Sequence, residues 1–259
     1  MNVLSSLLKK EPRRKTAERI AIFGDIHSNL EALSAVLADA RKMGVTRFLC
    51  TGDVVGYGAD PVDCIRLIQE AEATVVKGNH DVYCSGGIIP EDVNPTARKT
   101  IVWTAEQLSD QDAAWLLDRP MHWQGGELAL AHSTFESGRN WPYIFNAQNA
   151  EPSLRLQAVP LAFFGHTHHP SFFVQTRQEA VLQKKTDKVK IRRHARYLIN
   201  PGSVGQPRDR DPRASYAMYD PARRTVEVRR VEYDIETAQK KIKAAGLPAR
   251  NAERLSRGR

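Results

Sequence analysis

The chain has 259 residues, enough for one generous core, with 41% hydrophobic and 26% charged residues, values ordinary for a globular protein. The formal net charge of +8 would point to nucleic acid if it were spread along the chain, but residues 1–20 hold +4, residues 239–259 hold +6, and the remainder sums to −2. Charged ends of this kind are mostly solvated tails, so nucleic-acid binding is only weakly supported. Cys50, Cys64 and Cys84 form neither a CxxC pair nor an even framework, which excludes a disulfide scaffold and reads as reduced thiols in the cytoplasm. The apolar patch Val3 to Leu8 is too short for a signal sequence or a membrane span.

Residues 1–18 read as a basic, flexible arm and 19–259 as the folded domain. A first strand is expected over 19–24, followed by a helix over 29–43 with Leu30, Leu33, Leu37 and Ala40 on one face and Gly44 as its stop. A strand over 46–50 leads to a helix over 61–71 opened by Asp60-Pro61, and a third strand over 73–77 follows. Strand and helix alternating at this spacing require parallel crossovers. Residues 82–93 read as a loop. Asn94-Pro95 opens a helix to about Leu108, and Ser109 with Asp112 caps another. Strands over 120–123 and 127–131 flank the Gly125-Gly126 turn, while 134–159 shows no clear period and reads as loop with room for one helix of unplaced bounds. Beyond 160 the chain is mostly strands, near 160–165, 171–176, 179–183, 188–192, 196–200, 214–220 and 224–231, which implies a second, mixed or antiparallel sheet. A helix from Asp234 closes near Gly246. The expected architecture is α/β, two sheets face to face with helices outside.

Five apolar runs end on metal-ligating residue types. RIAIFGDIHSN delivers Asp25 and His27, RFLCTGDVVGYG delivers Asp53, and VVKGNHD delivers Asn79, His80 and Asp81. LALAHS delivers His132, and AFFGHTHH delivers His166 and His168. In an extended chain, residues two apart face the same way, so Asp25 with His27 and His166 with His168 would each present a pair. Mixed carboxylate and imidazole donors suit divalent ions such as Mn²⁺, Fe²⁺ or Zn²⁺. Seven candidate ligands, Asp25, His27, Asp53, Asn79, His132, His166 and His168, exceed what one tetrahedral ion needs and suit two ions sharing a carboxylate.

GDIHSN, GDVVGYG, GNHD, AHS and GHTH, in this order, resemble the calcineurin-like metallophosphoesterases, particularly the small YfcE-type branch, as does NPGSVGQPRDRDPRASY over 200–216. The resemblance implies a four-layer α/β/β/α sandwich. It also implies one ion on Asp25, His27 and His168, a second on Asn79, His132 and His166, and Asp53 shared between them. The ions would be Mn²⁺ first, with Fe, Zn, Ni or Mg as alternatives. By this resemblance a metal-bridging hydroxide attacks a phosphodiester, His80 as imidazolium assists the leaving group, and Asp81 orients His80. The substrate would be a small phosphate ester. A phosphomonoesterase, a protein phosphatase, a dinucleoside polyphosphate hydrolase and a non-catalytic scaffold on the same fold are the alternatives. Gly56-Tyr57-Gly58 replaces the Asp-Arg-Gly of the protein phosphatases, which argues against that activity. Asn29 is expected to cap its helix, and Arg208 and Arg210 are candidates for contact with an anionic substrate.

Overall fold

The computed structural model describes residues 18–136, 140–176 and 181–259, so the expected arm over 1–18 lies outside the described residues except for Glu18. The first half runs β1 (Ile20–Phe23), α1 (Leu30–Lys42), β2 (Arg47–Cys50), α2 (Pro61–Glu70), β3 (Thr74–Val75), α3 (Asn79–Cys84), α4 (Pro95–Gln107) and α5 (Asp110–Asp118). The hairpin β4 (His122–Gly125) and β5 (Leu128–Ala131), then α6 (Ala147–Leu156) and β6 (Leu161–Phe163) follow. The chain continues through β7 (Ser171–Thr176), β8 (Leu182–Lys184), β9 (Lys188–Lys190), β10 (Ala195–Asn200), β11 (Ala214–Asp220) and β12 (Thr225–Val231). It finishes with α7 (Ile235–Ala244) and α8 (Ala249–Leu255).

Local chemistry accounts for most helix starts. The Asn29 carboxamide oxygen accepts from the Ala32 amide at 3.1 Å, Ser109 and Asp112 cap reciprocally, and Asp234 accepts from the Thr237 amide at 2.9 Å. Asp60 behaves differently. It caps no amide, and both its oxygens take the Lys241 ammonium at 3.1 Å, which ties α2 to α7.

Two six-stranded mixed sheets result, ordered β3-β2-β1-β11-β12-β9 and β4-β5-β6-β10-β7-β8. The strands beyond residue 160 therefore do not build a sheet of their own, as the sequence had implied. The β1–β2–β3 crossovers leave one edge of β1 bare, and β11 covers it antiparallel, with Ile20 opposite Tyr219. Side-chain alternation then sorts every inner strand between two cores. Ile20 and Ile22 of β1, with Leu49, Leu161, Phe163, Phe172 and Tyr197, fill the space between the sheets. Ala21 and Phe23 face outward to Leu33, Leu37 and Ile65 of α1 and α2. On the far side, Ala162, Phe173 and Leu198 pack under Ala150 and Leu154 of α6. The result is a four-layer α/β/β/α sandwich.

Three expectations need correction. Residues 79–84 are helical although 82–93 read as a loop, because one and a half turns are too short to show a period. α6 was hidden inside the aperiodic 134–159 stretch because Pro152 interrupts its pattern. The basic C-terminal stretch is not a solvated tail: Asn251, Ala252 and Leu255 of α8 are buried against α7 while its arginines face outward or sideways. Among the described residues no helix is long and apolar enough to cross a membrane, and all three cysteines are buried and unpaired.

Candidate metal centre

The loops that leave β1, β2 and β3 in one sheet and β5 and β6 in the other meet at one end of the sandwich. They bring all nine expected site residues together. The backbone there is not extended, as the two-apart spacing had implied. Asp25, His27, Asp53, His166 and His168 have φ of 49°, 49°, 52°, 68° and 60°, the left-handed region that non-glycine residues rarely enter. The loops also approach closely. A Cβ at Gly78 would stand 2.6 Å from the Asp53 amide nitrogen, which explains the glycine before Asn79.

The donor atoms form overlapping groups, Asp25–His27–His168 and Asp53–His132–His166, with a third, His27–Asp53–His80, between them. His27 Nε2 is 3.0 Å from His168 Nε2, which in turn is 3.4 Å from Asp25 Oδ1. His132 Nε2 lies 3.1 Å from Asn79 Oδ1, 3.2 Å from His166 Nδ1 and 3.3 Å from Asp53 Oδ2. Asp53 Oδ2 also lies 3.6 Å from His27 Nε2, so this one oxygen touches both groups. It is buried and accepts no hydrogen bond among the described residues.

The far nitrogens settle what these near contacts are. His27, His132 and His168 each place Nδ1 on a backbone carbonyl, of Val55 at 3.1 Å, Thr51 at 2.8 Å and Gln206 at 2.7 Å. A carbonyl only accepts, so each Nδ1 carries a proton, and Nε2 of the neutral His27 and His168 rings presents a lone pair. Lone pairs of His27 and His168 facing each other at 3.0 Å repel unless a cation stands between them. The donor set thus fits cations, not a network of internal hydrogen bonds.

Electrostatics agree with this. Burial, helped by Arg208, holds His27 and His168 well below the usual imidazole range, and burial beside His132 pushes His166 down to about 3. His132 is the exception: burial opposes its charge, but Asp53 and Asp25 outweigh it and raise the ring to about 9. Burial and the Asp53 charge raise Asp25 to about 7, whereas the surrounding imidazoles overcome burial and keep Asp53 low. A prediction follows by linkage. Ligation by this donor set would require both His132 and Asp25 to lose their protons, so affinity for divalent cations should rise with pH through about 7 and level off above about 9. Calorimetry at pH 6.5 in two buffers of different ionisation enthalpy should register proton release, and at pH 9.5 almost none.

Asp81 does not orient His80. Its carboxylate accepts backbone N–H groups of Asp53 (2.8 Å), Val54 (2.8 Å), Val55 (3.2 Å) and Gly78 (2.9 Å), while His80 Nδ1 has no partner among the described residues. Four amides in reach of one carboxylate outcompete one imidazole. His80 itself sits neutral: burial, with Arg208 and His132, takes it down to about 4 against the pull of Asp53, so the expected imidazolium is not its resting form. Asn29 caps α1 and also donates to the Gly205 carbonyl at 2.9 Å, and Ser203 Oγ donates to the Asp25 carbonyl at 2.7 Å. Arg208 is half-buried, its guanidinium 5.8 Å from the Tyr57 ring beside the centre, whereas Arg210 is exposed. Sequence reading missed the orienting carbonyls, which carry no side-chain signal. It also missed Tyr57 and Tyr143, whose rings pack on His80 at 4.5 Å and on His166 at 4.1 Å.

Residues 19–224 match the family described as the calcineurin-like phosphoesterase superfamily domain. The chain belongs to that superfamily. The uncharacterised protein MJ0912 of Methanocaldococcus jannaschii is 37% identical over 244 residues, covering 93% of this chain and 98% of its own. The metallophosphoesterase of Sphaerobacter thermophilus superposes with a TM-score of 0.82 at 38% identity, over 94% of this chain and all of its own. The hypothetical protein PH1004 of Pyrococcus horikoshii shares the fold, with a TM-score of 0.76 at 18% identity over 93% of this chain and 98% of its own. Membership in this superfamily makes the cluster at the sheet ends the place to look for phosphoester hydrolysis.

Proposed function

We propose that the protein is a phosphodiesterase working with two divalent cations, Mn²⁺ in the first instance. Asp25, His27 and His168 would hold one ion, Asn79, His132 and His166 the other, and Asp53 would join them. The observation that carries this reading is the orphaned Asp53 Oδ2, which stands within 3.6 Å of imidazole nitrogens from both groups. Two such ions, when bound, supply hydroxide near neutral pH and neutralise charge on the phosphoryl oxygens.

The chain's own residues define the rest of the chemistry. His80 Nδ1 is turned against Gly56, where a Cβ would stand 2.5 Å away, which leaves Nε2 as the nitrogen available to the cleft. As a neutral ring it is too weak an acid to protonate a leaving group at rest, but an arriving phosphate anion favours its imidazolium form, so the substrate itself brings the leaving-group acid into being. Asp81 fixes the loop that carries Asp53 and thereby places the shared carboxylate. Among the described residues the cleft of about 380 Å³ in front of His80 and Asn79 contains no lysine or arginine in its lining, and Tyr57, Tyr83, Trp141 and Tyr143 stand along it beside Asp92. Such walls favour a second organic group over the two charges of a monoester.

Hydrolysis of bis(p-nitrophenyl) phosphate beside p-nitrophenyl phosphate, both with Mn²⁺, tests the reading. Diester turnover should exceed monoester turnover, and monoester preference would make the protein a phosphatase. His80→Ala should keep its metal content and lower kcat by ~10²–10⁴-fold. An unchanged kcat in that variant would remove His80 from the chemistry.

A further inference from the structure

An imidazole that serves as a leaving-group acid has to aim one ring nitrogen, and the aim is commonly set by a hydrogen bond at the other. His80 lacks that bond among the described residues. Its Nδ1 is buried without a partner, and the Asp81 carboxylate next to it in sequence is taken by four backbone amides. The His80 amide donates to Asp53 Oδ1 at 2.8 Å, but a backbone anchor leaves the side-chain torsions free. The direction of this ring is therefore a matter of packing.

Tyr57 lies against His80 with ring centroids 4.5 Å apart and planes at 44°, and His27 meets the same imidazole edge-on at 4.9 Å and 82°. Gly56 closes the Nδ1 side, where a Cβ would stand 2.5 Å from that nitrogen. His27 has a direction of its own, held by the Val55 carbonyl at 3.1 Å and by its place in the donor groups. Tyr57, by contrast, brings a ring and no ligand.

The segment Gly56-Tyr57-Gly58 is shaped to keep that ring where it is. Tyr57 has φ of 59° and Gly56 of 94°, so a bulky residue stands in the left-handed region. A Cβ at Gly58 would stand 2.4 Å from the His27 carbonyl oxygen, to which the Gly58 amide donates at 3.0 Å. From α8, Asn251 Nδ2 donates to the Tyr57 carbonyl at 3.4 Å. From the loop after β10, the Arg208 guanidinium stands 5.8 Å from the Tyr57 ring, within cation–π range. Four parts of the chain thus hold one half-buried tyrosine in a strained conformation at the lining of the cleft, with its ring on His80.

Resting on the phosphoester-hydrolase reading above, we infer that Tyr57 is the positioning residue of His80: its ring, in place of an orienting carboxylate, aims Nε2 at the leaving-group oxygen. No bond is made or broken at Tyr57. The proton passes from His80 Nε2 to the departing oxygen, and a ring turned away from that line delivers it poorly.

Tyr57→Leu and Tyr57→Phe, compared by kcat on diphenyl phosphate and on bis(p-nitrophenyl) phosphate with Mn²⁺, test the inference. A departing phenolate needs the proton more than p-nitrophenolate does. Tyr57→Leu should therefore lose about 10²-fold on diphenyl phosphate and distinctly less on the nitrophenyl ester, with KM near its unmodified value. Tyr57→Phe keeps the ring and should restore both rates. A second readout needs no turnover. In metal-free protein with ¹³C-labelled histidine, the His80 ring C–H signals, assigned by their loss in His80→Ala, should be displaced by the Tyr57 ring current. The displacement should persist in Tyr57→Phe and vanish in Tyr57→Leu. Metal content is measured on every variant. If Tyr57→Leu binds no metal, Tyr57→Met takes its place, and loss of metal there too would make Tyr57 a support of His27 and overturn the inference. Equal losses on the two esters, an unchanged kcat in Tyr57→Leu, or a phenylalanine that restores nothing would also overturn it and leave the hydrolase reading standing. No turnover of either ester by the unmodified protein, with the ring-current displacement present, would remove the hydrolase reading and leave the hold of Tyr57 on His80 intact.

Discussion

Asp53→Asn is expected to reduce bound divalent cation from two equivalents to one or fewer and to lower diester turnover by about 10³-fold or more, since metal stabilisation of the transition state is worth several kcal/mol. The fold should survive. Asp53 Oδ1 accepts the His80 amide at 2.8 Å, and an asparagine oxygen can keep that bond. The loss falls on Oδ2, the buried oxygen that meets imidazoles of both donor groups. An amide NH₂ in its place offers only N–H donors there and presents no negative charge to a cation. Metal analysis of the purified variant, alongside its thermal unfolding, makes the test. Two bound ions and ordinary turnover in a folded Asp53→Asn protein would refute the shared-carboxylate scheme.

Asp81→Ala should act differently, on stability before chemistry. Removing the carboxylate strands four buried N–H donors, of Gly78, Asp53, Val54 and Val55, each worth roughly 1–3 kcal/mol when left without a partner. Water entering the gap recovers part of that, so a net loss of about 4 kcal/mol is expected. Denaturant unfolding of the metal-free variant should register it as a lower midpoint at unchanged slope. A residue acting only through the His80 ring would lower kcat and leave that midpoint where it was. The unfolding curve therefore decides between the loop-fixing role in the structure and the orienting role that the motif had implied.

The difference between those two roles marks where sequence reading stops. Strand ends could be read because an apolar run that breaks at Gly-Asp or at His is a local event, and the parallel order of β1, β2 and β3 brings three such ends to one edge. Residues 25, 27, 53, 79, 132, 166 and 168 were expected in this way, and the structure brings them to one place. The partner of Asp81 could not be read, because amides look alike in any sequence. The left-handed backbone at Asp25 and His168 was equally silent, since neither residue is one that φ above zero favours as glycine is. α6 escaped because Pro152 sits inside it, and α8 escaped because seven residues with basic neighbours resemble a tail. The division of late strands between both sheets depends on which edge β11 covers, a pairing 190-odd residues away from β1 that no local pattern announces.

The same long reach has a consequence for how the centre comes to exist. The Asp25 carbonyl is held by Ser203, 178 positions later, and the His168 ring is aimed by the Gln206 carbonyl. During synthesis, at roughly 5–20 residues per second, Asp25 and Asp53 wait on the order of ten seconds or more before Ser203 and Gln206 emerge. The other candidate ligands, up to His168, emerge within that interval, but the groups that hold the Asp25 carbonyl and aim the His168 ring do not. The candidate centre therefore reaches its observed geometry only after the last strands are in place.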